Sequence, residues 1–186
     1  MRSGEKAFLL KDGRTCIIRN PRREDAADLI KYLKVTASET PYLMKEPEEI
    51  TITLEEEYDY IQKVTESESA LLLIAEVDGK HAGNCALNGY GTFQRYRHRC
   101  SVSIALYQEF CGMGIGKRML KELLAEAEKC GYEQAELEVV SSNQPAIRLY
   151  EQLGFQIYGT LPHAVKYKDG TYGDEYRMVK RFDSSV

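Results

Sequence analysis

The sequence predicts an α/β fold in which mostly antiparallel N-terminal strands lead into a right-handed β-α-β crossover. Three observations carry this expectation. Asp78-Gly79 separates the apolar run 70–77 from the segment 80–90, and this dipeptide suits a type I′ hairpin turn, whose central residues need positive φ. The short apolar segment 100–106 runs into a glycine turn and then an amphipathic helix, and the alternating segment 135–140 follows; that order is a β-α-β unit, right-handed by rule. The chain has 186 residues, 43% hydrophobic and 29% charged, enough for a core built without disulfides or metals.

Each element has a local reason. Residues 15–19 form a first strand closed by Asn20-Pro21, because proline disfavours helix at the residue before it. Residues 24–33 form a helix with Ala26, Leu29, Ile30 and Leu33 on one stripe and Glu24 and Asp25 in the first turn, where the helix dipole favours acids. Pro41 and Pro47 bracket a loop. Thr53 and Glu56 have the spacing of a capping box, opening a helix over about 54–65 with Tyr58, Ile61 and Val64 at helical spacing. The hairpin follows, then a polar stretch at 91–97. The strongest helix presents Ile115, Met119, Leu120, Leu123, Leu124 and Ala127 on one face, and Gly131 closes it. Ser142 or Asn143 caps the next helix, with Pro145 in its first turn, and Gly154 ends it. Residues 155–161 and 174–180 form a final strand pair, linked through Pro162-His163 and the turn Asp169-Gly170. The order is β-α-α-β-β-β-α-β-α-β-β. No repeat or linker interrupts it, so a single domain over 1–186, with a core at about 12–182, is expected.

Composition excludes several function classes. Lys and Arg number 25 against 29 Asp and Glu, a net charge of −4, and general nucleic-acid binding needs a basic footprint. The five cysteines, at 16, 85, 100, 111 and 130, form no C-x-x-C pair, and His81, His98 and His163 complete no zinc spacing. No metal is expected, and free thiols fit a reducing cytoplasm. No apolar run nears the ~20 residues of a membrane helix, and no hydrophobic signal-peptide stretch follows the N-terminal residues, so no membrane partner is expected.

The segment Cys111-Gly112-Met113-Gly114-Ile115-Gly116-Lys117 is the most informative. A strand ends, three glycines alternate, and a helix begins. Amides at a helix N-terminus make an anion site, glycines let a phosphate approach the main chain, and Lys117 adds a cation. A diphosphate is the natural ligand. Two nucleotide motifs fail on spacing. A Walker A loop places Cys111 at its first glycine and Arg118 at its Ser/Thr, and the G-x-G-x-x-G fingerprint places Lys117 at its third glycine.

The segment resembles the acetyl-CoA loop of the Gcn5-related N-acetyltransferase (GNAT) family, Q/R-x-x-G-x-G/A, at Gly114 and Gly116, with Cys111 standing where Gln or Arg usually begins the loop. A second element, Asn143 followed by Leu149-Tyr150-Glu151-Gln152-Leu153-Gly154-Phe155, resembles the family's L-Y-x-x-x-G-F helix end, one strand and one helix further on. The likeness covers nearly the whole chain and is nearest to the branch of ribosomal-protein alanine and polyamine acetyltransferases. It implies a mixed, mostly antiparallel sheet flanked by helices, with a splayed parallel strand pair. It also implies acetyl-CoA as cosubstrate, held by Cys111, Gly112, Met113, Gly114, Ile115, Gly116 and Lys117, by main chain at Ile104 and Leu106, and by Asn143. The implied reaction is acetyl transfer to a small-molecule amine or a protein N-terminal amine by direct attack in a ternary complex. Tyr150 is the implied general acid for the departing thiolate, and a homodimer is a further implication of the resemblance.

For the general base, Glu76, His98, His163, Glu175 and a water chain all stay open. The helix N-terminus beside Cys111 can lower a thiol pKa, but no matched His partner accompanies it, so direct transfer ranks above an acetyl-cysteine route. The acids between Glu46 and Asp59 read as a solvated helix face, with recognition of a cationic acceptor as the functional alternative. A non-catalytic acyl-CoA-binding regulatory module is the competing function.

Overall fold

In the computed structural model of the chain, Asp78 and Gly79 both take positive φ, 49° and 78°, as the hairpin reading requires. The structure describes residues 1–91 and 93–182; position 92 of the expected polar stretch and 183–186 of the expected domain span lie outside the described residues. The elements are β1 (Lys6–Leu9), β2 (Thr15–Arg19), α1 (Ala26–Glu39), α2 (Leu54–Glu66), β3 (Ala70–Val77), β4 (Lys80–Gly89), β5 (Arg99–Leu106), α3 (Ile115–Lys129), β6 (Gln134–Val140), α4 (Gln144–Glu151), β7 (Gln156–Lys166) and β8 (Tyr172–Arg181). The strands hydrogen-bond in the order β1-β2-β3-β4-β5-β6-β8-β7. β5 and β6 run parallel, and the other pairs with a described register are antiparallel. This is the mixed, mostly antiparallel α/β sheet expected.

The chain divides into two compact units, Met1–Asn88 with Ser103–Glu126, and Gly89–Val102 with Ala127 onward. In the first, Leu71 to Ala75 of β3 are buried without a break, the pattern of a strand covered on both faces. Ala26 and Leu29 of α1, Ile61 of α2 and Ile74 of β3 form a core cluster, with Tyr58 packed against it; burying each large apolar side chain contributes about 1.5–3 kcal/mol. The Thr53 capping box forms in full: Glu56 N–H donates to the Thr53 hydroxyl, and Thr53 N–H donates to the Glu56 carboxylate. Arg19 bridges two carboxylates, Asp25 at 2.7 Å and Glu76 at 2.6 Å. On α3, Ile115, Met119, Leu120 and Leu123 are fully buried.

In the second unit, β6 pairs along its whole length with β8 and only at its start with β5. The Asn143 side chain caps α4 by accepting from Ala146 N–H at 3.3 Å.

Three features differ from the sequence reading. β1 was not expected: Lys6-Ala7-Phe8-Leu9 has no alternation of its own and becomes a strand only by pairing with β2. α1 runs on to Glu39, six residues beyond its predicted end, since the chain meets no helix breaker before Pro41. β7 does not stop at Leu161. It continues through Pro162-His163 to Lys166, with an irregular register between Leu161 and Val165. His163 has φ 54°, and its N–H donates to the Asp174 carboxylate at 2.8 Å. A proline at such an irregularity costs no ladder hydrogen bond.

Candidate functional site

The glycine turn belongs to the first unit. After β5 a short 3-10 turn, Gln108–Phe110, buries Phe110. Gly112 and Gly114 then take φ of 77° and 82°, a left-handed backbone that side chains disfavour. A Cβ at either would meet nothing within 4 Å. The glycines therefore answer a need for backbone shape, and the space before them stays open for a ligand. α3 starts at once: Arg118 N–H donates to Gly114 C=O at 3.2 Å. The positive end of the helix dipole thus lies directly behind the glycine turn. Arg14, which no sequence motif marks, approaches the loop: its guanidinium lies 3.2 Å from Met113 Sδ while holding Asp12 at 2.7 Å.

Cys111 is exposed, and the thiol pKa lowering that a helix N-terminus can give is not seen. Partial burial and the charge of Glu39 raise its pKa, and its Sγ lies 3.6 Å from Tyr107 C=O as a donor. The shift is upward, opposite to the one an activated thiol needs.

The second half of β5 is open where the first half is not. The β5–β6 ladder ends at Ser101 opposite Glu136; beyond it Ser103 is exposed, and Ile104 and Leu106 are partly buried. Tyr32 donates its hydroxyl proton to Ala105 C=O at 2.9 Å. β4 comes so close here that a Cβ on Gly83 would lie 2.5 Å from Ala105 O and 2.7 Å from Leu106 Cα, so only glycine fits.

Beside this segment lies a cavity of about 620 Å³, walled by α1, α2, β4 and residues 103–105 of β5. Leu29, Leu33, Leu43, Ile52 and Leu72 supply apolar surface, and Glu56, Glu57, Tyr60 and Asn84 are among its polar groups. Glu57 is only 4% exposed. Its carboxylate makes no hydrogen bond or ion pair with any described residue, and burial raises its pKa. Burial of Tyr60, with a smaller contribution from the nearby Glu57 charge, raises its phenol pKa. Burial lowers the His81 pKa, against smaller opposing effects of Asp28 and Asn84, and neither Asn84 Oδ1 nor His81 Nε2 makes a hydrogen bond of normal geometry.

The acidic stretch thus does not behave as one solvated face. Glu56 closes the capping box, and Glu57 turns inward. Sequence reasoning missed this although the signal was present: Glu57 stands four residues before Ile61 and seven before Val64, on the buried stripe.

Asn143 and Tyr150 belong to the second unit. The cap uses Asn143 Oδ1. Tyr150 is 6% exposed, stacks edge-on against Phe155 at 5.9 Å, and has its pKa pushed up to about 12 by burial. No described residue hydrogen-bonds its hydroxyl, which is unusual for a buried tyrosine.

The four carboxylate and imidazole candidates for a general base scatter. Glu76 is bound by Arg19. His98 accepts the Glu133 and Gln134 amides at its carbonyl. His163 stacks on Tyr172 at 4.7 Å. Glu175 has its pKa raised by burial and by Glu138. No group of three or more His, Cys, Asp or Glu able to hold a metal ion occurs among the described residues. Among them, too, no helix is long and apolar enough to cross a membrane.

Comparison with known proteins places these features. Residues 34–155, more than half of the chain, match the profile of the acetyltransferase (GNAT) family. The N-alpha-acetyltransferase of Sulfurisphaera tokodaii is 32% identical over 180 residues, covering 91% of this chain and 95% of that protein. The spermidine N(1)-acetyltransferase of Escherichia coli K12 is 28% identical over 162 residues, covering 87% of this chain and 83% of that protein. The L-amino acid N-acyltransferase MnaT of the same strain is 28% identical over 91 residues, and there the match spans 49% of this chain and only 53% of the relative. Among solved structures, a GNAT-family acetyltransferase from Streptococcus pneumoniae superposes with a TM-score of 0.85 at 28% identity, covering 90% of this chain and 99% of that one. A putative acetyltransferase from Salmonella typhimurium, solved with its cofactor acetyl-CoA, shares the fold with a TM-score of 0.79 at 21% identity, covering 91% and 95%. Its sequence, its glycine turn and its sheet together show that the chain belongs to the GNAT acetyltransferase family.

Proposed function

We propose that the chain is an N-acetyltransferase, acting as one catalytic domain, that moves an acetyl group from acetyl-CoA to a primary amine by direct attack in a ternary complex. The observation that carries this reading is the turn at Gly112 and Gly114: left-handed backbone, open space where side chains would stand, and a helix N-terminus immediately after. That combination suits a diphosphate. The relatives named as N-alpha-acetyltransferase and spermidine N(1)-acetyltransferase support an amine acceptor.

Acetyl-CoA, when bound, supplies an activated acyl thioester. Main chain from Cys111 through Gly112, Met113, Gly114, Ile115 and Gly116 holds its diphosphate, with the Lys117 charge nearby. The backbone of Ile104 and Leu106 offers strand-like hydrogen bonds to its amide arm, and Asn143 gives a further polar contact. Cysteine at position 111 removes a Gln or Arg side chain and leaves binding to backbone amides. Tyr150 holds its proton throughout the neutral range because burial has raised its pKa, and it donates that proton to the departing sulfur.

The test is free-thiol release from acetyl-CoA across a panel of amines. Tyr150→Phe is expected to lower kcat about 100-fold while leaving acetyl-CoA affinity, read by calorimetry, unchanged. Acetyl-CoA binding without thiol release on any amine would overturn the enzyme reading in favour of a non-catalytic acyl-CoA-binding module.

A further inference from the structure

The cavity beside β5 says which amine. Its wall contains Glu57, a residue 4% exposed overall, whose carboxylate has no hydrogen-bond or ion-pair partner among the described residues. Glutamate is almost never buried this far unless paired, and an unpaired buried charge is costly. Neighbouring Glu56 is not in the same position, since its carboxylate is spent on Thr53. No lysine or arginine is among the described residues lining the cavity. The rest of the lining is mainly apolar, with Leu29, Leu33, Leu43, Ile52 and Leu72 beside scattered hydroxyl groups, and it reaches the 103–105 segment of β5. An α-amino acid would bring its own carboxylate into this space, where it would find no cation and would face Glu57. A ligand with an aliphatic body and a cationic end suits both: the body covers the apolar wall, and the cation completes Glu57.

We infer that Glu57 is the specificity-determining residue for the acceptor, and that the acceptor class is an aliphatic diamine or polyamine, one nitrogen held as an ammonium by Glu57 and the other, neutral, facing β5 as the nucleophile. This inference rests on the acetyltransferase reading and narrows its substrate. Glu57 binds the acceptor's far end and takes no part in the proton transfers.

The test compares 1,4-diaminobutane and 1,6-diaminohexane with butylamine, hexylamine and a set of α-amino acids in the thiol-release assay, using the full chain and Glu57→Gln. The diamines are expected to exceed the length-matched monoamines in kcat/KM by about tenfold or more, with amino acids lowest. In Glu57→Gln the KM for diamines rises about tenfold, kcat holds, monoamine kinetics hold, and the diamine preference collapses. Preference for amino acids, or a diamine-to-monoamine ratio unmoved by Glu57→Gln, overturns the inference while leaving the acetyltransferase reading intact. If no amine releases thiol, calorimetry of 1,6-diaminohexane on the two chains reads the same contact without turnover: weaker binding to the variant supports it, and equal or absent binding overturns it. If Glu57→Gln does not fold, the wild-type ranking of diamine, monoamine and amino acid decides alone.

Discussion

Glu57 and Glu136 are buried to almost the same degree, 4% and 5% exposed, and the protein treats them in opposite ways. Glu136, on β6, accepts two hydrogen bonds from the Arg99 guanidinium at 2.6 and 2.7 Å and a third from the Gln134 amide at 2.7 Å. Those bonds, above all the one from Arg99, hold its pKa below the ordinary carboxylate range despite burial. Glu57, on α2, has no such partner, and burial alone sets its pKa above that range. One carboxylate is a satisfied joint between neighbouring strands. The other carries an unmet electrostatic demand in the wall of a cavity. The same residue type at the same depth is structural where its partner is supplied by the fold, and a binding group where it is not.

Removing the partner from the first region is expected to have the largest effect. Arg99→Ala leaves Glu136 as exposed to desolvation as Glu57 is, without a cavity ligand to compensate. Urea unfolding is expected to show a loss of about 2–4 kcal/mol, at the lower end because Arg99 itself is partly exposed. A loss below ~0.5 kcal/mol would erase the contrast.

Removing the charge from the second region is expected to do the reverse. Glu57→Leu replaces an unpaired buried carboxylate with an apolar group and is expected to stabilise the chain by about 1–3 kcal/mol while abolishing diamine preference, the usual trade at a binding group. Destabilisation by Glu57→Leu would mean that the fold satisfies this carboxylate after all.

The smallest effect is in pH dependence, where the two carboxylates have opposite signs. Glu136 has a depressed folded pKa, so its stabilisation is present above the unfolded value of about 4.3 and is lost as pH falls through the lower folded value. Glu57 has a raised folded pKa. The native state keeps a proton that the unfolded chain has already released, so stability declines as pH rises from about 4.3 through the raised value. Unfolding free energies measured across that interval are expected to decline less steeply in Glu57→Leu than in the wild type. Superimposable slopes would remove Glu57 from the titration.

The contrast also explains what the sequence showed and what it hid. The Thr53–Glu56 capping box, the Asp78-Gly79 turn and the glycine turn before α3 were all legible, because each is decided by residues a few positions apart. The family resemblance was legible for the same reason: its motifs sit on one strand-turn-helix and on one helix end. β1 was not, since four residues of edge strand exist only through β2. Glu57 was hidden inside a run of acids that reads as solvent-facing, although its spacing from Ile61 and Val64 already placed it on the inner stripe. Cys111 shows the converse failure. Its place beside a helix N-terminus allows a lowered thiol pKa, and burial, with Glu39 from a distant part of the sequence, raises it instead.

The most direct measurement is the ratio of kcat/KM for 1,6-diaminohexane to that for hexylamine, by thiol release from acetyl-CoA, in the wild type and in Glu57→Gln. A ratio of about ten or more in the wild type that falls toward one in the variant is the predicted result. A ratio that is the same in both proteins would contradict the assignment of Glu57 as the group that reads the acceptor.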